Sequence, residues 1–482
     1  MSVPPSELDA GWADPDRRIE ARGGRIPGWD PHTPRLDELL AALPGRVLTD
    51  PGEVAAYSTD SSRASLDGVP GAVVTARSTE DVATALRWAN RHGIKVSVRG
   101  SGTGLTGGAV AYPDGLVVSL AAMDAILGID PANRLADVQA GVVTADVDRA
   151  AAAYGLMYAP DPASYRESTI GGNIATNAGG LRCVKYGVTA DSIAGLQVVL
   201  ANGDVITTGG RTRKDVVGYD LTRLFVGSEG TLGVVTAATV RLVPRPSGET
   251  VTFRAVFPTL VAAGTAVTAI MGSGVVPEVL ELMDRPSVDA VERHFPTGLR
   301  LDGAAAVLVG QLIGRRARDE SRAFARLCTQ AGAVSVEEAD GDRLLEARRA
   351  TGPALSVEGL RVSSDVAVPI ARLAEMFAAI ERISREEGVL IPTFAHAGDG
   401  NLHPSVLVDP ADPATGDNGE RVLDRVSDAA LALGGTLSGE HGIGSLKRHA
   451  LPKQLDAATL AAHRLVKDAL DPRHILSPGR GI

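Results

Sequence analysis

The chain has 482 residues, 44% hydrophobic and 22% charged, which is enough apolar surface for more than one core and rules out wholesale disorder. Asp+Glu 58 against Lys+Arg 48 gives a net charge of -10, which argues against a nucleic-acid or anionic-membrane surface, because both need a concentrated positive field. Only Cys183 and Cys328 are present, so there is no disulfide framework and no cysteine-built zinc site, and a reducing compartment fits.

Residues 1–32 are broken by Pro4, Pro5 and Pro15, carry Glu7, Asp9, Asp14 and Asp16, and have no apolar signal core, so a mobile tail is expected. A first domain is expected over 33–245. Ser78-Thr79-Glu80-Asp81 reads as a capping box, and Val82, Leu86 and Ala89 recur at helical spacing until Gly93. Gly71–Arg77 before this helix and Ile94–Arg99 after it read as strands, as do Gly115–Leu120, Ala136–Gly141 and Leu196–Leu200, the last turning at Asn202-Gly203. This is a mixed α+β pattern.

Two glycine-rich loops interrupt it. Gly102-Thr103-Gly104-Leu105-Thr106-Gly107 matches the dinucleotide spacing GxGxxG, but Gly108–Pro113 leads into another strand rather than opening a helix, which disfavours a nicotinamide site. The run Arg99–Gly108 can still bring backbone amides close to phosphate oxygens, although a surface turn fits it equally well. Thr169–Gly180 repeats the chemistry with Asn173, Thr176 and Asn177 as donors, and two such loops suit a long ligand with several phosphates.

Pro244-Arg245-Pro246-Ser247-Gly248 reads as a hinge, and a second domain is expected over 246–482. Helical runs at Pro258–Met271, Ala317–Ala331 and Ile370–Glu387 between strand-like Ala304–Val309 and Asp365–Val368 suggest an antiparallel sheet with helices on one face. No apolar stretch approaches the roughly 20 residues of a membrane span. In Thr393–His403, Asp399-Gly400 reads as a two-residue hairpin turn, and counting outward pairs His396 with His403, close enough to share one metal ion. Ser438-Gly439-Glu440-His441-Gly442 adds a carboxylate and a further imidazole, a donor set that suits Zn, Mn or Fe. Asp456–Leu470 before Asp471-Pro472 closes as a helix with a proline stop.

The segments VSVRGSGTGLTGG (96–108), APDPAS (159–164), STIGGNIATNAGGLRCVKYGVTAD (168–191) and FVGSEGTLGVVTAATVRLVP (225–244) closely resemble the FAD-linked oxidases of the vanillyl-alcohol oxidase and p-cresol methylhydroxylase type. HAGDGNLH and SGEHGIG resemble the branch of the glycolate oxidase catalytic subunit, D-lactate dehydrogenase and D-2-hydroxyglutarate dehydrogenase. The resemblance implies an α+β fold: a two-subdomain FAD-binding domain followed by a ferredoxin-like antiparallel-sheet cap domain with C-terminal helices. It implies FAD contacts from Arg99, Gly100, Ser101, Gly102, Thr103, Gly104, Pro160, Thr169, Gly172, Asn173, Ala175, Thr176, Glu229, Gly230 and Val234. His396, His403 and Glu440 would ligate a divalent metal, His441 would be the base, and Arg348 would bind the substrate carboxylate, although Arg343, Arg348 and Arg349 also fit a solvated helix face. Ser477 stands where relatives commonly carry Asn, which leaves its flavin contact open. The pyrophosphate loop has no His and Cys183 fits a packed small residue, so FAD is expected to be noncovalent.

The reaction this implies is removal of the hydroxyl proton of a D-2-hydroxy acid by His441 and hydride transfer from its Cα to flavin N5, with electrons passing on to a quinone, a cytochrome or an electron-transfer flavoprotein. Ser363-Ser364 precede Asp365 where the hydroxyglutarate relatives carry Lys, so a monocarboxylate such as D-lactate or glycolate is expected, with D-2-hydroxyglutarate as the alternative. A noncatalytic flavin relay subunit would have no need of the His-Glu cluster, and sugar or aromatic-alcohol oxidation on the same fold would not require the HAGDGNLH hairpin. A cytoplasmic protein, peripheral to the inner membrane at most and with a homodimer as one option, completes the expectations.

Overall fold

The computed structural model describes residues 34–482 except 65, 67, 300 and 410–412, so the expected N-terminal tail lies outside the described residues. The first sheet holds, in order, Val47–Leu48, Ala72–Thr75, Leu116–Ser119 and Val96–Arg99, with the last three parallel. Helix Thr79–His92 crosses between two of these strands. It starts where the Ser78 side chain accepts Asp81 N–H at 3.1 Å and stops at Gly93, whose φ of 68° is the left-handed conformation that glycine adopts without strain.

A second, antiparallel sheet runs Ile126–Asp130, Leu135–Gln139, Val234–Arg241, Ile193–Val199, Val205–Gly209, and its last two strands are the hairpin expected at Asn202-Gly203. The segment Thr169–Gly180 is not wholly a loop. Residues Ile170–Thr176 form a short helix, capped where Thr169 Oγ1 accepts Gly172 N–H at 3.3 Å and ended by Asn177 at φ 52°. Its two glycines hide it from propensity reasoning.

The third sheet is antiparallel throughout and runs Ser335–Glu338, Glu249–Phe257, Ala306–Gly314, Val279–Asp284, Thr393–His396, Asn401–Val408, Leu360–Ser363, with Val366–Ala367 also pairing on Asn401–Val408. The expectation of helices on one face is corrected here, because both faces are covered. Leu260–Met271, Ala317–Gln330, Leu373–Glu387 and Pro413–Ala432 pack on one side, and Arg285–His294 with Gly341–Glu358 pack on the other. Every residue of Val279–Asp284 is buried, so the strand offers no polar alternation from which a solvent face could be read. The end of the chain returns to the first sheet: Val96 N–H donates to Ile475 O at 2.7 Å and Ser477 N–H to Val96 O at 2.9 Å. Among the described residues no helix is long and apolar enough to cross a membrane.

Candidate active site

The two glycine loops meet. A Cβ on Gly100 would collide with Thr169 Oγ1, so the strand end at Arg99 and the start of helix Ile170–Thr176 can touch only because residue 100 lacks a side chain. Between them lies a cavity of about 430 Å³, walled by Gly100, Ser101, Gly102, Thr103 and Gly104 on one side and by Thr169, Gly172, Asn173, Ala175 and Thr176 on the other. Glu229, Gly230 and Val234 complete it. Arg99 and Pro160 stand off the wall. Arg99 donates to Thr59 O at 2.6 Å and packs beneath Gly102, where it supports the loop from behind, while Pro162 and Ser164 take the wall position two and four residues beyond Pro160. Ser477 is buried at φ 44° with an unpartnered hydroxyl and is not part of that wall. His92 pairs with Glu38 at 3.1 Å at the far end of its helix.

At its other end the cavity is walled by Arg349, Pro353, Glu440 and His441. The hairpin register differs from the one counted outward from Asp399-Gly400: His396 faces Asn401 and His403 faces Phe394, because the loop takes four residues, Ala397–Gly400, rather than two. The slip is two residues, and a period of two keeps every side chain on its face, so the imidazoles still converge. Their ring centroids are 5.1 Å apart and mutually perpendicular, and His441 stacks on His403 at 5.1 Å.

Glu440 Oε1 is the point of convergence, 3.3 Å from His396 Nε2, 3.4 Å from His403 Nε2 and 3.9 Å from His441 Nε2. Tetrahedral bonds of about 2.1 Å place donor atoms about 3.4 Å apart, so the first two separations match a shared ion. Asp365, His403 and His441 form a second close group. The oxygens of Asp365 are already committed: Oδ2 accepts from Glu440 N–H at 2.9 Å, His441 N–H at 2.8 Å and Ser438 Oγ at 2.8 Å, and Oδ1 accepts from Asn401 Nδ2 at 2.7 Å. Asp365 therefore anchors the loop that carries Glu440 and His441. From the FAD side Glu229, itself at φ 53°, does the same by accepting Ile443 N–H at 2.8 Å and Gly444 N–H at 2.6 Å.

Sequence reasoning missed Glu281. Its Oε1 lies 3.0 Å from His396 Nδ1, and its Oε2 lies 2.6 Å from Arg348 Nε in an ion pair whose N–H is not aimed along the contact. A carboxylate in the middle of the largely apolar strand VLELMD was the available signal, since buried charges are paired or hold metals. Arg348 is buried against Phe394, with Cζ 4.5 Å from the ring centroid and Nη2 unpartnered, whereas its neighbour Arg349 forms part of the cavity wall.

Burial opposes charge on His396, but Glu281 and Glu440 override it and hold that imidazole's pKa well above its usual range. Burial lowers the pKa of His441 despite Asp365 and Glu440, which favours the uncharged ring. Burial likewise lowers His403, assisted by His441 and His396. Asp365 is held below the usual carboxylate range against its own burial, by His441, Lys447 and His403. Cys183 packs nearby, its thiol pKa pushed up by burial and then by Asp399 and Glu440.

The fold and the cavity are those of an FAD-linked oxidoreductase with an FAD-binding domain and a C-terminal domain. Residues 70–209 match the FAD binding domain and 247–480 match the family described as FAD linked oxidases, C-terminal domain. The chain belongs to that family. It is 42% identical over 431 residues to glycolate oxidase subunit GlcD of Bacillus subtilis, covering 88% of this chain and 91% of the relative. It is 37% identical over 413 residues to a D-lactate dehydrogenase of Archaeoglobus fulgidus, covering 85% and 90%. Substrate-bound p-cresol methylhydroxylase shares the fold with a TM-score of 0.76 at 18% identity, over 92% of this chain and 96% of that one.

Proposed function

We propose that this chain is an FAD- and metal-dependent dehydrogenase of small D-2-hydroxy acids, with FAD held noncovalently between the glycine loops and Zn, Mn or Fe held by His396, His403 and Glu440. The observation that carries the reading is the convergence of those three side chains, of which Glu440, with the adjacent His441, lines the cavity that the loops enclose. The donor chemistry fits the ion, because Glu281 and Glu440 hold positive charge on His396, the same demand a divalent cation would meet. The cradle fits FAD, because its two walls are glycine-rich loops that meet closely at Gly100 and Thr169, where a Cβ on residue 100 would collide with Thr169 Oγ1.

When bound, the flavin would supply the hydride acceptor and the ion would supply the Lewis acidity that makes a hydroxyl proton removable near neutral pH. The chain's own part is to position and to move one proton. Neutral His441 is the base that takes the substrate's hydroxyl proton at a ring nitrogen, its backbone fixed by Asp365. Glu281 fixes the His396 ring through Nδ1, which leaves Nε2 for the ion. Arg348, with its free Nη2, and Arg349 in the wall are the cations available to the substrate carboxylate.

D-lactate and glycolate are the simplest acids with this head group, and both are named in the relatives. D-2-hydroxyglutarate is the second reading. A noncatalytic relay subunit would gain nothing from the convergence. Anaerobic mixing of the yellow protein with a panel of D- and L-2-hydroxy acids should bleach the flavin with D-isomers only, and prior chelation should abolish the bleaching. Undiminished bleaching after verified metal removal would sink the metal assignment. The electron acceptor is proposed as a quinone, a cytochrome or an electron-transfer flavoprotein.

A further inference from the structure

Arg361 is a cation without an anion. It lies on strand Leu360–Ser363, opposite Leu407, with Ser363 opposite Ser405, and the same register continues to Val366 opposite Leu402. Asp365 therefore falls opposite His403, and since opposed residues share a face, Arg361, Ser363 and Asp365 stand on the side of the sheet that carries the histidine cluster. Helix Gly341–Glu358 covers this face. The Arg361 guanidinium reaches the helix at Gly352, where a Cβ would sit 3.6 Å from Nη1 and Nη2. Gly352 is one helical turn beyond Arg348 and adjoins Pro353, which walls the cavity.

Among the described residues the Arg361 guanidinium makes no hydrogen bond and no ion pair. The charged groups that bear on it include another cation: burial and then Arg63 lower its pKa, and its own charge is among those that lower His441. Arg63 comes from the turn after Asp60 in the FAD-binding part, at φ 61°, and is likewise unpaired. On the Arg361 face, Ser405 Oγ is buried without a partner, as is Nη2 of Arg348 from the covering helix. In a chain of net charge -10, an uncompensated Arg361 whose charge bears on the proposed base marks a place prepared for an incoming anion.

We propose that Arg361 is a specificity-determining residue that binds a second carboxylate on the substrate, so that the site takes a D-2-hydroxy dicarboxylate in preference to D-lactate or glycolate. This deepens the D-2-hydroxy acid reading and rests on it. The residues beside Asp365 supplied no cation in sequence, and the pleat brings one along the same face from four residues away.

The test uses the FAD- and metal-loaded protein, with anaerobic flavin reduction by D-lactate, D-malate and D-2-hydroxyglutarate, and equilibrium binding of pyruvate and 2-oxoglutarate followed by the shift of the oxidised flavin spectrum. The wild type should favour a dicarboxylate by at least about tenfold in kcat/KM. Arg361→Met should erase most of that ratio through the dicarboxylate KM and should weaken 2-oxoglutarate binding by a similar factor, while Arg361→Lys keeps an intermediate ratio. Equal kcat/KM for mono- and dicarboxylates in the wild type, or an unchanged ratio in Arg361→Met, overturns the proposal. If neither variant holds FAD, the wild-type preference decides it. Failure of every D-2-hydroxy acid to reduce the flavin would instead defeat the functional reading beneath it.

Discussion

Asp365→Ala tests whether one buried carboxylate holds the loop that carries Glu440 and His441. Four donors converge on it, the Glu440 and His441 N–H groups, Ser438 Oγ and Asn401 Nδ2, all between 2.7 and 2.9 Å. A hydrogen bond to a charged acceptor contributes about 1.5–3 kcal/mol, so the two backbone bonds alone anchor the loop by about 3–6 kcal/mol. If about half of that is needed to keep Glu440 within reach of His396 and His403, its loss weakens metal binding by about one to two decades at about 1.4 kcal/mol per decade. Competition between the apoprotein and a chromophoric chelator should show binding 10–100-fold weaker, in the range usual for groups that orient metal ligands. Asp365→Asn should fall between, because its single oxygen can still accept the loop's donors while its amide must face Asn401. Wild-type metal affinity in the alanine variant would refute the anchoring role.

His441→Asn should lower kcat by about 10²–10⁴ with flavin content unchanged, and a kcat within tenfold of wild type in steady-state turnover would remove His441 as the base. Glu281→Gln should weaken metal affinity by about 10–100-fold, read in the same chelator competition, since His396 loses the carboxylate that orients its ring. Gly171→Ala would put a Cβ 2.7 Å from Ala140 Cβ and 3.0 Å from Ala140 O, so the purified variant should hold FAD substoichiometrically, measured as the flavin-to-protein absorbance ratio. Burial pushes the Asp284 pKa up to about 7, with Ser287 and Thr393 N–H opposing the shift. From pH ~4 to ~7 the unfolded chain has lost this proton while the folded chain keeps it, so its contribution to stability falls as pH rises, by up to about 4 kcal/mol. The stability gap between wild type and Asp284→Asn should therefore shrink across that window in pH-resolved melts, and a constant gap would contradict the buried acid.

Local signals were legible wherever one element decided its own shape. Ser78 and Gly93 bound a helix through a cap and a left-handed residue that need no tertiary partner, and Asn202-Gly203 closes a hairpin for the same reason. The second helical layer was not legible, because Val279–Asp284 is buried on both sides and carries apolar residues toward each, a run that reports burial without saying what buries it. Helix Ile170–Thr176 was hidden by glycines that close packing requires: a Cβ at Gly171 would meet Ala140.

The site was legible as a set of residue types and illegible as a set of bonds. His396, His403, Glu440 and His441 came from two glycine-framed segments, and the convergence survived a wrong register only because the error was an even number of residues; a slip of one would have sent His403 into the opposite core. Glu281, Asp365 and Glu229 act through contacts across 75 to 215 residues of sequence, which no local pattern encodes. Those contacts fix the chemistry. The loop bearing Glu440 and His441 is held by Asp365 from the large sheet and by Glu229 from the FAD-binding part, so the proposed metal ligand and the proposed base are set at the seam between the two. A shift of either part against the other moves both groups together, and an intact FAD cavity alone would not preserve the site.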